Sequence, residues 1–356
     1  MSLTSGKELG RLGERPSLAE EQIRFSLRNS FEGAIVGLAV GDALGYPAEF
    51  RRRNEIIRAF GPDGICRFVS VDDPAWPVRP VVTGWRLPPG TYSDDTQMSL
   101  AVAEALIEAG HKDLNSLMLR MAARFIEWSR SPENNRAPGQ TTMTACARLA
   151  DGIEWRVAGV PESKGCGSAM RVAPIGLLLW RDIPRLLETA RASSTLTHRH
   201  DAAIEGAAAA ALLVGLAISK TPPDEMYRAL MRECAPRSPD FKACLERLPK
   251  LLWTEPAEAL SHRGLGEGWV AEEAVASALY CFWRSPLDFE RTVVTAATTD
   301  GDSDSIACIA GGISGAFCGL GAIPALWQKD IENSAYLKDL ASRLWAAAES
   351  GSASSH

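Results

Sequence analysis

The chain has no CxxC pair. Its eight cysteines, Cys66, Cys146, Cys166, Cys234, Cys244, Cys281, Cys308 and Cys318, are scattered, mostly among apolar or small residues. Scattered thiols of this kind read as reduced and buried, not as a disulfide frame, and they point to a cytoplasmic protein. Histidine is scarce. The one dense pair, in His198-Arg199-His200, has no cysteine near it, which argues against zinc. Positive charge is not in surplus: 38 basic residues face 44 acidic ones, a formal net charge of -6. Such a balance disfavours nucleic acid as a partner, though a local basic patch for phosphate remains compatible with it. No apolar run follows Met1–Lys7, so no secretory signal is read there. Ile306–Trp327 carries no charge and is long enough to cross a bilayer. Gly311, Gly312, Gly315, Gly319, Gly321 and Pro324 interrupt it and an acidic cluster abuts it, so it reads as a buried helix followed by a loop.

Runs of alternating β-branched residues do not recur either, which leaves an all-α reading. Residues 1–20 are polar, and an arm of residues 1–30 precedes a single domain over residues 31–350. A helical pattern starts near Glu20 and runs to Val40, with a break expected at Gly41-Asp42-Ala43-Leu44-Gly45. Residues 51–92 hold six prolines and read as a long loop or lid. Helices are expected over residues 98–109, 114–128, 201–218, 223–233, 240–252, 271–283, 289–297, 303–318 and 333–349. Small residues dominate them, so a compact bundle of many helices is predicted.

Two acidic clusters stand at the starts of helices too apolar to be surface: Ser93-Asp94-Asp95 and Asp302-Ser303-Asp304-Ser305. Carboxylates cap helix N-termini without any metal. They are also what a hard divalent cation needs, together with hydroxyls and water. Asp300-x-Asp302-x-Asp304 opens like a calcium-binding EF-hand, but the loop requires glycine at its sixth position and glutamate at its twelfth. Ser305 and Gly311 stand there, so that reading fails. In Ser163–Arg171, Gly165 and Gly167 allow backbone amides to approach an anion, and Ser168 adds a hydroxyl. A tight turn into a helix explains the same residues, and Arg171 suits either phosphate or a buried carboxylate. Glu49 and Thr197-His198, taken singly, read more often as structural than as functional.

In this order the segments resemble the ADP-ribosylglycohydrolase family, which includes dinitrogen-reductase-activating glycohydrolases and ADP-ribosylarginine hydrolases. The matching stretches are GAIVGLAVGDALGYPAEF at 33–50, YSDDTQMSLAVAEAL at 92–106 and GCGSAMRVAPIGLL at 165–178. LTHRHDAAIEGA at 196–207 and DGDSDSIACIAGGISGAFCG at 300–319 complete the series. The resemblance implies an all-α bundle with a binuclear magnesium cleft, in which Mn2+ can substitute. It implies that Ser93, Asp94, Asp95, Asp302, Asp304 and Ser305 hold the two ions. Asp94 or Asp95 would be the base for water, with Glu49 the alternative. Gly165, Gly167, Ser168 and His198 match positions that contact the diphosphate and ribose. The implied reaction removes ADP-ribose from a modified acceptor, most simply arginine on a protein. The alternative is an immunity protein that neutralises an ADP-ribosyltransferase toxin through the N-terminal arm, with or without hydrolysis. A magnesium phosphohydrolase of nucleotides is a third reading. Departures from the family pattern are Cys166, where many members carry asparagine, Asp300 just before Gly301, where a paired glycine is common, and Ser93 and Ser305, where some relatives carry threonine.

Overall fold

Glycine recurs every fourth residue at Gly33, Gly37, Gly41 and Gly45. Positions four apart share one face of an α-helix, so this spacing leaves a groove without side chains. The computed structural model, which describes residues 18–70, 73, 87–110 and 113–353, shows what fills that groove. Helix α1 (Leu18–Gly45) lies against the helix Ser303–Cys318, which carries glycines of its own. A Cβ added to Gly33 would sit 2.3 Å from the Gly315 carbonyl oxygen, and one on Gly41 2.0 Å from that of Ala307. No side chain fits there, so the two backbones touch. The break expected at Gly41–Gly45 does not occur. Tertiary packing carries α1 straight through glycines whose intrinsic helix propensity is poor.

The other principal helices, in chain order, are α2 (Asp94–Ala109), α3 (Leu114–Ser129), α4 (Ile183–Thr195) and α5 (Asp201–Ile218). They are followed by α6 (Ala271–Arg284), α7 (Phe289–Ala297), α8 (Ser303–Cys318) and α9 (Ser334–Ala353). The pair α1 and α8 forms the centre. α6 and α7 flank α8, α9 flanks α1, and α5 packs on α4, α6 and α8. Ala-rich α5 has a mean hydropathy of 1.7 and is long enough to cross a membrane, yet its neighbours bury most of it. Among the described residues there is no β-strand, only the isolated bridges Val160–His198 and Gly165–Val270. The all-α expectation therefore holds. The reading of Ile306–Trp327 holds for its buried helix, which stops at Cys318 where Gly319 turns the chain at φ +82°; in place of the expected loop come a 3-10 turn at Leu320–Ala322 and a short helix at Ala325–Asp330.

Two boundaries move. Residues 18–30, read with the polar arm, belong to α1, and Arg28 and Ser30 are already bonded to Ser342 and Lys220 of the body. Residues 1–17 lie outside the described residues. Within 51–92, Arg53–Phe60 is a short helix rather than loop. Residues 71, 72 and 74–86 of the expected lid are also outside the described ones.

Candidate active site

The two acidic clusters sit at the N-termini of α2 and α8. Both contain real caps. Ser93 Oγ accepts from the Asp95 N–H at 3.2 Å, and Asp302 Oδ1 accepts from the Ser305 N–H at 3.3 Å. Capping leaves Asp94, Asp95 and Asp304 unexplained, and each is at most 5% exposed. A fifth carboxylate, Asp42 on α1, joins them. Its Oδ1 accepts from the Ser93 N–H at 2.9 Å, and its Oδ2 from the Thr96 N–H at 2.9 Å and the Thr96 hydroxyl at 2.6 Å. The glycine face of α1 is what brings it there: a Cβ on Gly45 would lie 2.5 Å from the Cα of Asp304.

Carboxylates this close in a dry pocket resist ionisation. Burial pushes Asp42 up to about 7, with the Asp304 charge as the next cause. Asp94, Asp95 and Asp302 are raised well above the usual carboxylate range for the same two reasons in the same order. Asp95 Oδ2 is buried without a hydrogen-bond partner. All the donors are hard oxygens, and the pocket is short of positive charge, so its chemistry fits a divalent cation of the magnesium type. Among the described residues no three metal-ligating side chains converge as closely as a bound ion holds its ligands.

Glu49 follows the turn Tyr46–Ala48 at the end of α1 and is buried. Phe50 comes next at φ +62°, a backbone region that bulky residues avoid. Its N–H bonds to the Gly301 carbonyl at 3.1 Å, and its ring stacks on Trp269 at 4.8 Å. This turn holds Glu49 next to the segment that carries Asp302. Cys166 reaches the same segment from the glycine loop: its thiol lies 3.0 Å from Asp302 Oδ2 and 3.5 Å from Ser305 Oγ. Burial, then the Asp302 charge, pushes the thiol well above its usual range, so it stays protonated and donates. Asp300 plays no part in the pocket. It accepts from the Arg53 N–H at 2.7 Å and stands 4.0 Å from the Arg52 guanidinium, where it anchors the short helix.

The glycine loop faces His198. A Cβ on Gly165 would lie 3.2 Å from Nε2 of the ring, and one on Gly167 3.1 Å from its Cε1. Burial, then the Arg171 charge, lowers His198 to about 3, so the ring is neutral at physiological pH. Ser168 is different. Its hydroxyl is fully buried, accepts from Ser194 Oγ at 2.9 Å and donates to the Ala203 carbonyl at 3.3 Å. That side chain braces the loop from behind. Arg171 pairs with no carboxylate among the described residues; it lies over the Phe125 ring at 4.4 Å.

A family model described as ADP-ribosylglycohydrolase matches residues 25–353. The chain belongs to the ADP-ribosylglycohydrolase family. It is 26% identical to the ADP-ribosylarginine hydrolase Tri1 of Pseudomonas putida over 88% of this chain and 77% of that protein. To the ADP-ribosylhydrolase ARH3 of Bos taurus it is 28% identical over 85% of this chain and 88% of the relative. A solved structure titled ADP-ribosylglycohydrolase-related protein complex superposes with a TM-score of 0.72 at 27% identity, covering 91% of this chain and 99% of the other.

Within this family fold, the two acidic clusters, Glu49, Gly165, Gly167 and His198 are drawn to one region, whereas the Ser168 hydroxyl points away from it. Sequence reasoning missed two contributors. Asp42 stood as a lone acid in an apolar, glycine-rich run, and that isolation was the signal. Arg136 gave none. Its carbonyl accepts from the Asp94 N–H at 3.3 Å, while its guanidinium forks onto both oxygens of Glu332 and also reaches the Tyr92 carbonyl.

Proposed function

We propose that the chain is a magnesium-dependent hydrolase that releases ADP-ribose from modified arginine side chains of proteins. The observation that carries this reading is the ring of buried carboxylates around two helix N-termini, joined through Cys166 to a glycine loop. In this reading Ser93, Asp94, Asp95, Asp302, Asp304 and Ser305 hold two Mg2+ ions, for which Mn2+ can substitute. Bound there, the ions supply positive charge that orients ribose hydroxyls and lowers the pKa of water. The chain's own groups do the rest. Asp95 Oδ2, which no protein group bonds, is open to a proton from the attacking water. Asp94 and Glu49 are the other candidates for that base. Positive charge developing on the ribose as its bond to the acceptor breaks is stabilised by the surrounding carboxylates. Gly165 and Gly167 bring their backbone within reach of the diphosphate, with the His198 ring facing the same loop.

Arginine is favoured over other acceptors because Tri1 is named for it and its similarity runs through most of this chain. The test sets four substrates side by side with magnesium: modified arginine, modified serine, O-acetyl-ADP-ribose and modified nucleic acid. Release from arginine with the highest kcat/KM is expected. Turnover confined to another acceptor would remove arginine from the reading. Undiminished turnover in Asp302→Ala and Asp304→Ala would remove the metal pocket.

A further inference from the structure

Arg171 is the bulkiest side chain to be fully buried among the described residues. No ion pair is made with it there. Its guanidinium reaches the Ser193 carbonyl at 3.1 Å, the Thr197 hydroxyl at 2.7 Å, the sulfur of Met98 and the face of Phe125. Its Nε has no partner. A buried charge with no counter-ion in contact, only the more distant Asp94 acting on it, is costly, so its presence calls for a reason.

The reason lies in what its neighbours can donate and accept. A guanidinium has no acceptor atom, so it donates to Thr197 Oγ1. That oxygen keeps one proton of its own, and His198 Nδ1 lies 2.8 Å away. The hydroxyl proton goes to Nδ1, which leaves the ring proton on Nε2. The opposite tautomer would aim Nδ1–H at an oxygen already taking a guanidinium proton and would strand the threonine proton in a dry site. Nε2 is the atom turned to the glycine loop, 3.2 Å from a Cβ on Gly165 and 3.4 Å from one on Gly167.

We propose that Arg171, acting through the Thr197 hydroxyl, is a positioning residue that fixes His198 as its Nε2–H tautomer, so that the ring shows the Gly165–Gly167 loop a donor and not a lone pair. An N–H donor attracts an oxygen of an anionic group, a phosphate in particular, whereas a lone pair repels it. The choice of phosphate rests on the proposed function; the tautomer does not.

The experiment is long-range proton–nitrogen NMR on 15N-labelled full-length protein at neutral pH, with the His198 signals assigned by their loss in His198→Gln. The expected spectrum has Nδ1 unprotonated and Nε2 protonated. Thr197→Val keeps the side-chain shape and removes the relay, so the ring should lose its single tautomer, and Thr197→Ser should restore it. Calorimetric titration with ADP-ribose should weaken about tenfold in Thr197→Val and recover in Thr197→Ser, the scale of one hydrogen bond to a charged group. A wild-type ring protonated on Nδ1, or a tautomer unchanged by Thr197→Val in folded protein, overturns the proposal. A wild-type protein that shows the tautomer but cleaves no ADP-ribosyl bond overturns the proposed function instead.

Discussion

Asp42 caps a helix to which it does not belong: Thr96 gives one of its carboxylate oxygens both a backbone N–H and a hydroxyl. Through this bond α1 dictates where the N-terminus of α2 stands. The glycine contacts of α1 do the same for α8 from the other side. One long helix thus sets the separation of the two acidic clusters, at the expense of burying a carboxylate beside Asp304.

That burial fixes a sign for the pH dependence of stability. Asp42 holds its proton more tightly in the folded chain, at about 7 against 3.8, so its contribution is full below pH 3.8 and is lost as pH rises towards 7. Asp94, Asp95 and Asp302 act in the same direction. His198 acts in the opposite one. Its value falls from 6.5 to about 3, so its contribution is full above 6.5 and is lost as pH falls through that window. At pH 5 the histidine costs about 2 kcal/mol, and His198→Asn removes that cost. In urea unfolding of metal-free protein, wild type minus His198→Asn should therefore grow by about 2 kcal/mol between pH 5 and pH 7. A difference that stays flat would mean the ring is not held neutral by burial.

A cation reverses the penalty on the carboxylates. Binding needs them ionised, so ions and protons compete for the pocket. Added Mg2+ or Mn2+ should raise the melting temperature more at pH 8 than at pH 6. The stabilisation reaches about 2.7 kcal/mol when the ion stands at a hundredfold its dissociation constant. Asp95→Asn and Asp304→Asn should abolish the response while the metal-free proteins stay folded. A shift equal at both pH values, or one retained in both variants, would place the ion elsewhere.

Much of this was legible in the sequence. Ser93 and Asp302, each leading into an apolar run, carry the local signature of a helix start, and the caps are where that signature put them. Gly41 and Gly45 were misread because their propensity says stop, while the partners that override it, Ala307, Ser303 and Asp304, lie far along the chain. Asp42 showed in the sequence only as an isolated acid for a related reason: its meaning lies in bonds to residues 93 and 96. The Ser168 hydroxyl turns away from the loop face because Ser194 and Ala203 claim it from behind. Asp300 opened an Asp-x-Asp-x-Asp pattern with Asp302 and Asp304, but Gly301 at φ +86° turns the chain between it and Asp302.

Gly41→Ala tests the role of α1 directly. The new methyl group would meet the Ala307 carbonyl at 2.0 Å, and backbone cannot step aside as a side chain can. Overpacking of this kind costs about 3 kcal/mol. The displacement would also part Asp42 from Asp304, so the magnesium-induced rise in melting temperature should shrink along with stability. Gly321→Ala, with nothing within 4 Å of the added carbon, is the control and should behave as wild type. Equal stability in the two variants would mean that the α1–α8 approach is not tight.

Arg136 holds the other side of the α2 N-terminus, and its geometry predicts a separable effect. Its carbonyl receives the Asp94 N–H while its guanidinium forks onto Glu332. The residues that follow the two partners, Ala137 at φ +57° and Asn333 at φ +53°, both occupy the left-handed region. Asn333 Nδ2 donates to the Tyr92 hydroxyl at 3.0 Å, which ties the clamp to the residue just before Ser93. Strained backbone persists where surrounding contacts over-determine it, and here it flanks both halves of one ion pair. Arg136→Lys keeps the charge and loses the planar fork. Stability should fall by about 1 kcal/mol, because the charge on Glu332 keeps a partner. Magnesium affinity, read by calorimetry, should fall about tenfold, the lower end of what loss of a supporting contact costs a metal site. Glu332→Gln, which leaves the same fork without its charge partner, should lower affinity in the same direction. If either variant loses stability while binding magnesium as wild type does, the clamp holds the fold and not the position of Asp94.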